Sequence, residues 1–173
     1  MGKERETLII LGIDPGIAIV GWGVVEYVGT RFRPIAFGSI QTPKEMKTEE
    51  RLCEIYRQMK EIIQAYHPDS MAVEELFFNT NQTTGIRVAE ARGVILLAGH
   101  TSGIPIAEYT PLQVKQSVVG YGRAEKKQVI MMVTTLLGLS KPPKPDDTAD
   151  ALALAITHAH SGCSRLSKYY NLK

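Results

Sequence analysis

The sequence predicts an α/β fold, a mixed sheet of three antiparallel strands followed by parallel strands and flanked by helices. Three observations carry this expectation. Apolar runs of strand length alternate with tight turns over the first forty residues, later segments space their apolar residues at helical intervals, and short apolar runs lie between those segments. Strands joined by turns pair antiparallel, whereas strands separated by a helix return parallel, so the order βββαβαβαα(α) implies a mixed sheet with helices on its faces. At 173 residues and 44% hydrophobic, the chain suits one domain that buries a full core without staples.

Residues 7–14, 19–28 and 32–40 read as the first three strands, separated by Pro15-Gly16 and Gly29-Thr30, both turn-forming pairs. Thr48 then offers a helix cap with Glu49 and Glu50 in the first turn, where a negative charge is favourable. Leu52, Ile55, Tyr56, Met59, Ile62 and Ile63 recur at helical spacing until His67-Pro68 stops them. A strand over residues 70–73 closes on Glu74, and a turn-rich link at 79–82 leads into a helix over 84–102. Its second half, residues 93–98, is apolar on every side, so it needs covering twice: by its own core, and by either a second subunit or further core of a monomer. Residues 104–109 read as a short strand, Thr110-Pro111 as an N-cap and first helical position, and 114–119 as a short helix ending at Gly120-Tyr121-Gly122. Another helix spans 124–137, a stiff Pro142-Pro143-Lys144-Pro145 connector follows, and a final helix spans 146–161. Repeats and low-complexity segments are absent, so the division is one domain over 1–161 and a basic tail over 162–173 that is expected to fray.

Global charge decides little, since Lys plus Arg number 20 against 18 Asp plus Glu. Its distribution says more: between Tyr109 and Pro145 the basic Lys115, Arg123, Lys126, Lys127, Lys141 and Lys144 face a single acid, Glu125. Such a stretch suits phosphate contact, although a solvated helix face would have the same composition. Cys53 and Cys163 lack metal-site spacing, and with no signal peptide they point to a reducing cytoplasm and no structural zinc. No apolar run approaches the roughly 20 residues that span a bilayer, so no membrane role is expected.

The chemistry is expected in the acids. Asp14, in Leu11-Gly12-Ile13-Asp14-Pro15-Gly16, ends one apolar strand, and Glu74 ends another. Glu75 beside it must point to the opposite face, so only one of the two can share a pocket with Asp14. Asp147 and Asp150 are spaced by three and lie on one helical face. Each has a bland reading: Asp-Pro-Gly is turn chemistry, a strand-end acid can point to solvent, and Asp146 and Asp147 can be helix caps. Asp150 lies beyond a cap. Four carboxylates around a small volume repel one another unless cations bind, and hard oxygen ligands select Mg²⁺ or Mn²⁺. Two such ions about 4 Å apart can activate water and stabilise the leaving oxygen of a phosphodiester, so the acids point to a metal-dependent nuclease.

Beyond single residues, Leu11–Gly16 with Gly21-Trp22-Gly23, Ala72-Val73-Glu74-Glu75-Leu76-Phe77, Asn81, Ala91-Arg92-Gly93, Pro111 with residues 113–120, Ala124-Glu125-Lys126 and residues 147–153 resemble the bacterial RuvC Holliday junction resolvases. The likeness runs in the family's order over residues 8–160. It implies a ribonuclease H-like fold, a homodimer, and divalent-metal cleavage of two like-polarity strands of a four-way DNA junction during recombination and repair. The family's catalytic, metal-binding acids fall on Asp14, Glu74, Asp147 and Asp150, its two lysines on Lys115 and Lys126, and its junction-centre aromatic on Phe77. RuvA and RuvB, which drive branch migration, are the implied partners. The chain departs from the family pattern at Val20, Thr80 and Glu90, where threonine, lysine and glutamine are frequent; Glu90 either weakens DNA contact or pairs with Arg87.

The same first loop resembles that of actin-like ATPases, but the chain has neither the length nor the second Asp-Gly-Gly loop of their duplicated fold. A ribosomal RNA precursor nuclease of the same fold would lack the insert carrying Lys115 and Lys126, and an inert junction-binding module would have lost an acid. His100, His158 and His160 have no ligand spacing, and His158, two turns beyond Asp150, reads first as a partly buried histidine.

Overall fold

The three leading strands form as β1 (Thr7–Asp14), β2 (Ile19–Val28) and β3 (Arg31–Gln41) in a computed structural model that describes residues 7–76 and 82–162. They are followed by α1 (Thr48–Tyr66), β4 (Ser70–Glu74), α2 (Gln82–His100), β5 (Ile106–Tyr109), α3 (Pro111–Val119), α4 (Lys126–Leu136) and α5 (Asp146–Gly162). The sheet order is β3-β2-β1-β4-β5; β2 pairs antiparallel with β1 and β3, and β4 pairs parallel with β1 and β5. The mixed sheet is therefore as expected.

Element ends differ from the sequence reading where local hydrogen bonds intervene. The α1 cap is Lys47 rather than Thr48, because the Glu50 carboxylate reaches back to accept the Lys47 N–H at 3.0 Å. α2 lies two residues earlier than expected at both ends. At its end the Ser102 hydroxyl turns back onto the Ala98 carbonyl and the Gly103 N–H onto that of His100, with Gly103 at φ 72°. Ile104 then bonds back to Gly99, so β5 starts at Ile106 instead of residue 104. α4 starts at Lys126 because Glu125 is its cap, its N–H donating to Gln128 Oε1 at 2.8 Å, and Ala124 is buried ahead of it. Thr110 caps α3 as expected, with reciprocal bonds to Gln113 of 2.8 and 3.1 Å.

Period-two alternation along the strands sends their side chains to two cores. α1 and α2 cover one face over Leu11, Ile13, Val24, Met71 and Val73, while α3, α4 and α5 cover the other over Ile10, Val25 and Ala72. The helix enclosed on all sides is α5, whose residues 151–157 are all buried. α2, expected to be covered twice, buries Ala91, Ile95 and Ala98 but leaves Ile86 and Leu97 more than half exposed and Gly93 facing open space.

α5 comes down unusually close because the strands beneath it lack side chains. A Cβ on Gly12 would overlap the Ala151 carbonyl, and one on Gly21 would overlap the Asp147 carbonyl. Gly21 is also the cross-strand partner of Asp14. The contact that lets the helix touch the sheet thus sits directly opposite the first acid.

Candidate metal and phosphodiester site

Asp14 ends β1, and Glu74 ends the adjacent parallel β4, each one residue beyond the paired Ile13 and Val73. The first turn of α5, pressed against Gly21, delivers Asp147, with Asp150 one turn on. Glu74 is half-buried whereas Glu75 is exposed, so Glu74 is the inward member of that pair. Asp146 is exposed and opens α5.

The acids act on one another. Burial, then the charges of Glu74, Asp150 and Asp147, push the Asp14 carboxyl up to about 8, against a weaker pull from Lys126. Glu74 is raised by burial and by Asp150, opposed by a hydrogen bond with Asp14 and by Lys126. Burial also raises Asp150, against its hydrogen bond to Lys126. Lys126, the first residue of α4, places Nζ 2.8 Å from Asp150 Oδ2. Burial pulls its pKa down, but Asp150, Asp146 and Asp14 outweigh that and raise it. Lys115 lies partly covered on α3 and is not among the charges that act on Asp14, Glu74 or Asp150. Arg123, Lys127, Lys141 and Lys144 of the basic stretch are exposed.

Among the described residues, no three His, Cys, Asp or Glu side chains stand close enough together to enclose a metal ion. The donors nonetheless fit a hard divalent cation: three of the four are carboxyls whose charged form is disfavoured by burial and mutual repulsion, and a cation relieves both.

Some supporting groups were not identified from the sequence. Arg92 of α2 donates from Nε to the Glu74 carbonyl at 3.0 Å and pairs with Glu108 at 2.7 Å. It borders a cavity of about 150 Å³ with Pro15, Glu74, Val88 and Pro111. Buried Arg51 donates to the Thr42 hydroxyl and carbonyl at 2.8 and 3.1 Å. Thr42 in turn donates from its hydroxyl to the Ile17 carbonyl at 2.5 Å and from its N–H to that of Ala18 at 3.0 Å, tying the loop after Asp14 to α1. The available signal was a charged residue in the apolar stripe, since Arg51 precedes Ile55 and Met59 at four-residue spacing.

His158 sits away from the acids, its Nδ1 2.8 Å from the Tyr109 hydroxyl, and burial lowers its pKa. Val20 is core, and Arg87 donates to the Thr48 hydroxyl at 3.3 Å. Phe77, Phe78, Thr80 and the tail beyond Gly162 lie outside the described residues. Among those described, no helix is long and apolar enough to cross a membrane.

Residues 10–158 match the family model described as crossover junction endodeoxyribonuclease RuvC. The proteins of that name from Alkaliphilus metalliredigens and Clostridioides difficile are 60% and 57% identical, covering 90% and 89% of this chain and 94% and 91% of their own lengths. Thermus thermophilus RuvC in complex with a Holliday junction substrate superposes with a TM-score of 0.86 at 37% identity, over 90% of this chain and 94% of that one. A yeast mitochondrial Holliday junction resolvase shares the fold at a TM-score of 0.61 and 14% identity, over 91% of this chain and 85% of that one.

Proposed function

The chain belongs to the RuvC family of crossover junction endodeoxyribonucleases, and from that premise we propose that it resolves four-way DNA junctions by metal-dependent phosphodiester hydrolysis at Asp14, Glu74, Asp147 and Asp150. The observation that supports the site assignment is that acids from β4 and α5 come within electrostatic reach of Asp14 at the end of β1, where burial and their charges push its carboxyl up to about 8. The four carboxylates would hold Mg²⁺, with Mn²⁺ as a substitute; when bound, the metal supplies an activated water and charge stabilisation at the leaving oxygen. Asp14 and Glu74 form the sheet side of the site and Asp147 and Asp150 the helix side. Lys126 keeps a positive charge at the mouth where a phosphate would enter. Lys115 and Lys126 contact the DNA backbone, and Phe77 stacks on a base near the junction centre, an interaction typically worth about 1–3 kcal/mol.

Four-way junctions have two-fold symmetry, and paired nicks need two sites, so the active form is a homodimer. The exposed apolar face of α2, with Ile86, Gly93 and Leu97, supports this reading. RuvA and RuvB are the proposed partners and the cytoplasm the proposed location.

The deciding experiment incubates the protein with a fixed four-way junction and Mg²⁺ and maps the cuts. Paired nicks in the two strands of like polarity are expected; RNA cleavage, ATP hydrolysis or binding without cutting would overturn the proposal.

A further inference from the structure

We infer that Arg92 is a positioning residue for Glu74, holding the end of β4 through its backbone rather than acting on the acid as a charge. This rests on the metal-site reading above and adds to it a residue that acts through the Glu74 backbone.

Arg92 is a charged residue in a helix that otherwise turns Ala91, Ile95 and Ala98 into the core, and only 14% of its side chain is exposed. Covering a guanidinium is costly unless its donors are taken. Nε is satisfied by the Glu74 carbonyl, whereas one terminal nitrogen is buried without a hydrogen-bond partner and is compensated by its ion pair with Glu108 of β5 at 2.7 Å. Val73 and Glu108 are register partners, Glu74 is paired with Tyr109, and the Glu75 N–H donates to the Tyr109 carbonyl at 2.8 Å. One planar group on α2 therefore spans the last rungs of the β4–β5 ladder.

β4 is only five residues long and ends at Glu74. A peptide plane free to tilt at a strand end carries the attached side chain with it, and metal ligands tolerate little displacement. Arg92 fixes that plane. Its ion-pair partner is Glu108, and its bond to Glu74 is to the main-chain carbonyl, so the contact works through geometry.

Lysine is the discriminating substitution, since it keeps the charge but has no planar fork with which to hold both partners. Arg92→Gln and Arg92→Lys should each weaken Mn²⁺ binding, measured by titration calorimetry without DNA, by about 10- to 100-fold, the usual cost of losing a group that orients a ligand. Single-turnover junction cleavage should fall by a similar factor, while junction affinity in Ca²⁺ stays unchanged. Glu108→Gln should move both readouts the same way by less, and circular dichroism with melting temperature establishes that each protein is folded. If Arg92→Gln fails to fold, Arg92→Lys and Glu108→Gln carry the test. Wild-type Mn²⁺ affinity in Arg92→Lys would show that charge suffices and overturn the inference, as would lost junction affinity with intact Mn²⁺ binding. A wild-type protein that binds Mn²⁺ yet leaves junctions uncut would remove the substrate assignment alone, because the Mn²⁺ titration still reports on Glu74.

Discussion

Asp14 is held protonated well above the range of an ordinary carboxyl, and the sign of its effect on stability follows. In the unfolded chain Asp14 titrates near 4, in the metal-free native chain near 8. Between these values the native state keeps a proton that the unfolded state releases, so stability falls as pH rises through that window. The melting temperature without metal should therefore drop from pH 5 to pH 8, and Mg²⁺ should raise it more at pH 8 than at pH 5. Asp14→Asn should flatten that slope, leaving the smaller contributions of Glu74 and Asp150; a wild-type melting temperature independent of pH and Mg²⁺ would contradict the cluster. Glu74→Gln and Asp147→Asn each remove one proposed ligand and one repulsive charge. Cleavage in both should fall to background while junction binding stays at or above the wild-type level in a gel-shift assay. Strong residual cutting in either would remove that residue from the site. Alternation alone could not choose Glu74 over Glu75, because it says that they diverge but not which face holds the pocket; the family resemblance made that choice.

Among the elements, α5 determines whether the acids meet at all. Its 151–157 segment is buried throughout, and the helix reaches the sheet only because Gly12 and Gly21 leave room. Thr148 adds a fixed point, donating to the Gly38 carbonyl at 3.1 Å. A methyl group at position 21 would strike the Asp147 backbone opposite Asp14, so Gly21→Ala must push the start of α5 outward. Overpacking of this kind typically costs about 1–3 kcal/mol. The expected result is a modestly lower melting temperature together with a disproportionate loss of cleavage in the folded protein, measured by single-turnover kinetics below the melt. Equal loss of stability and activity, or neither, would mean that the glycine serves packing alone. The acid pair on α5 was legible from its i,i+3 spacing, but the glycine contact was not, since it joins residues far apart in the chain.

At the scale of the molecule, the two faces of the sheet are covered unequally. α5 is enclosed, whereas α2 leaves Ile86 and Leu97 exposed. Leu97→Asp should therefore convert the proposed dimer to a monomer in sedimentation at micromolar concentration with little change in fold by circular dichroism. Uncoupled single nicks should then replace paired cuts. A wild-type monomer that still cuts both strands together would exclude α2 as a required interface.

Element order, the strand-end acids and the helix carrying Asp147 and Asp150 could be determined from the sequence by itself, because alternation, helical spacing and capping are signals between residues a few positions apart. The family motifs added which acids to group. What only the tertiary structure decided was how residues distant in sequence face one another: Lys126 against Asp150, Gly21 beneath Asp147, Arg92 on the Glu74 carbonyl and Arg51 on Thr42. Which residues of α2 face the core was not readable for the same reason. Its apolar residues look alike in the chain, and only the placement of α1 and the sheet separates buried Ile95 from exposed Leu97.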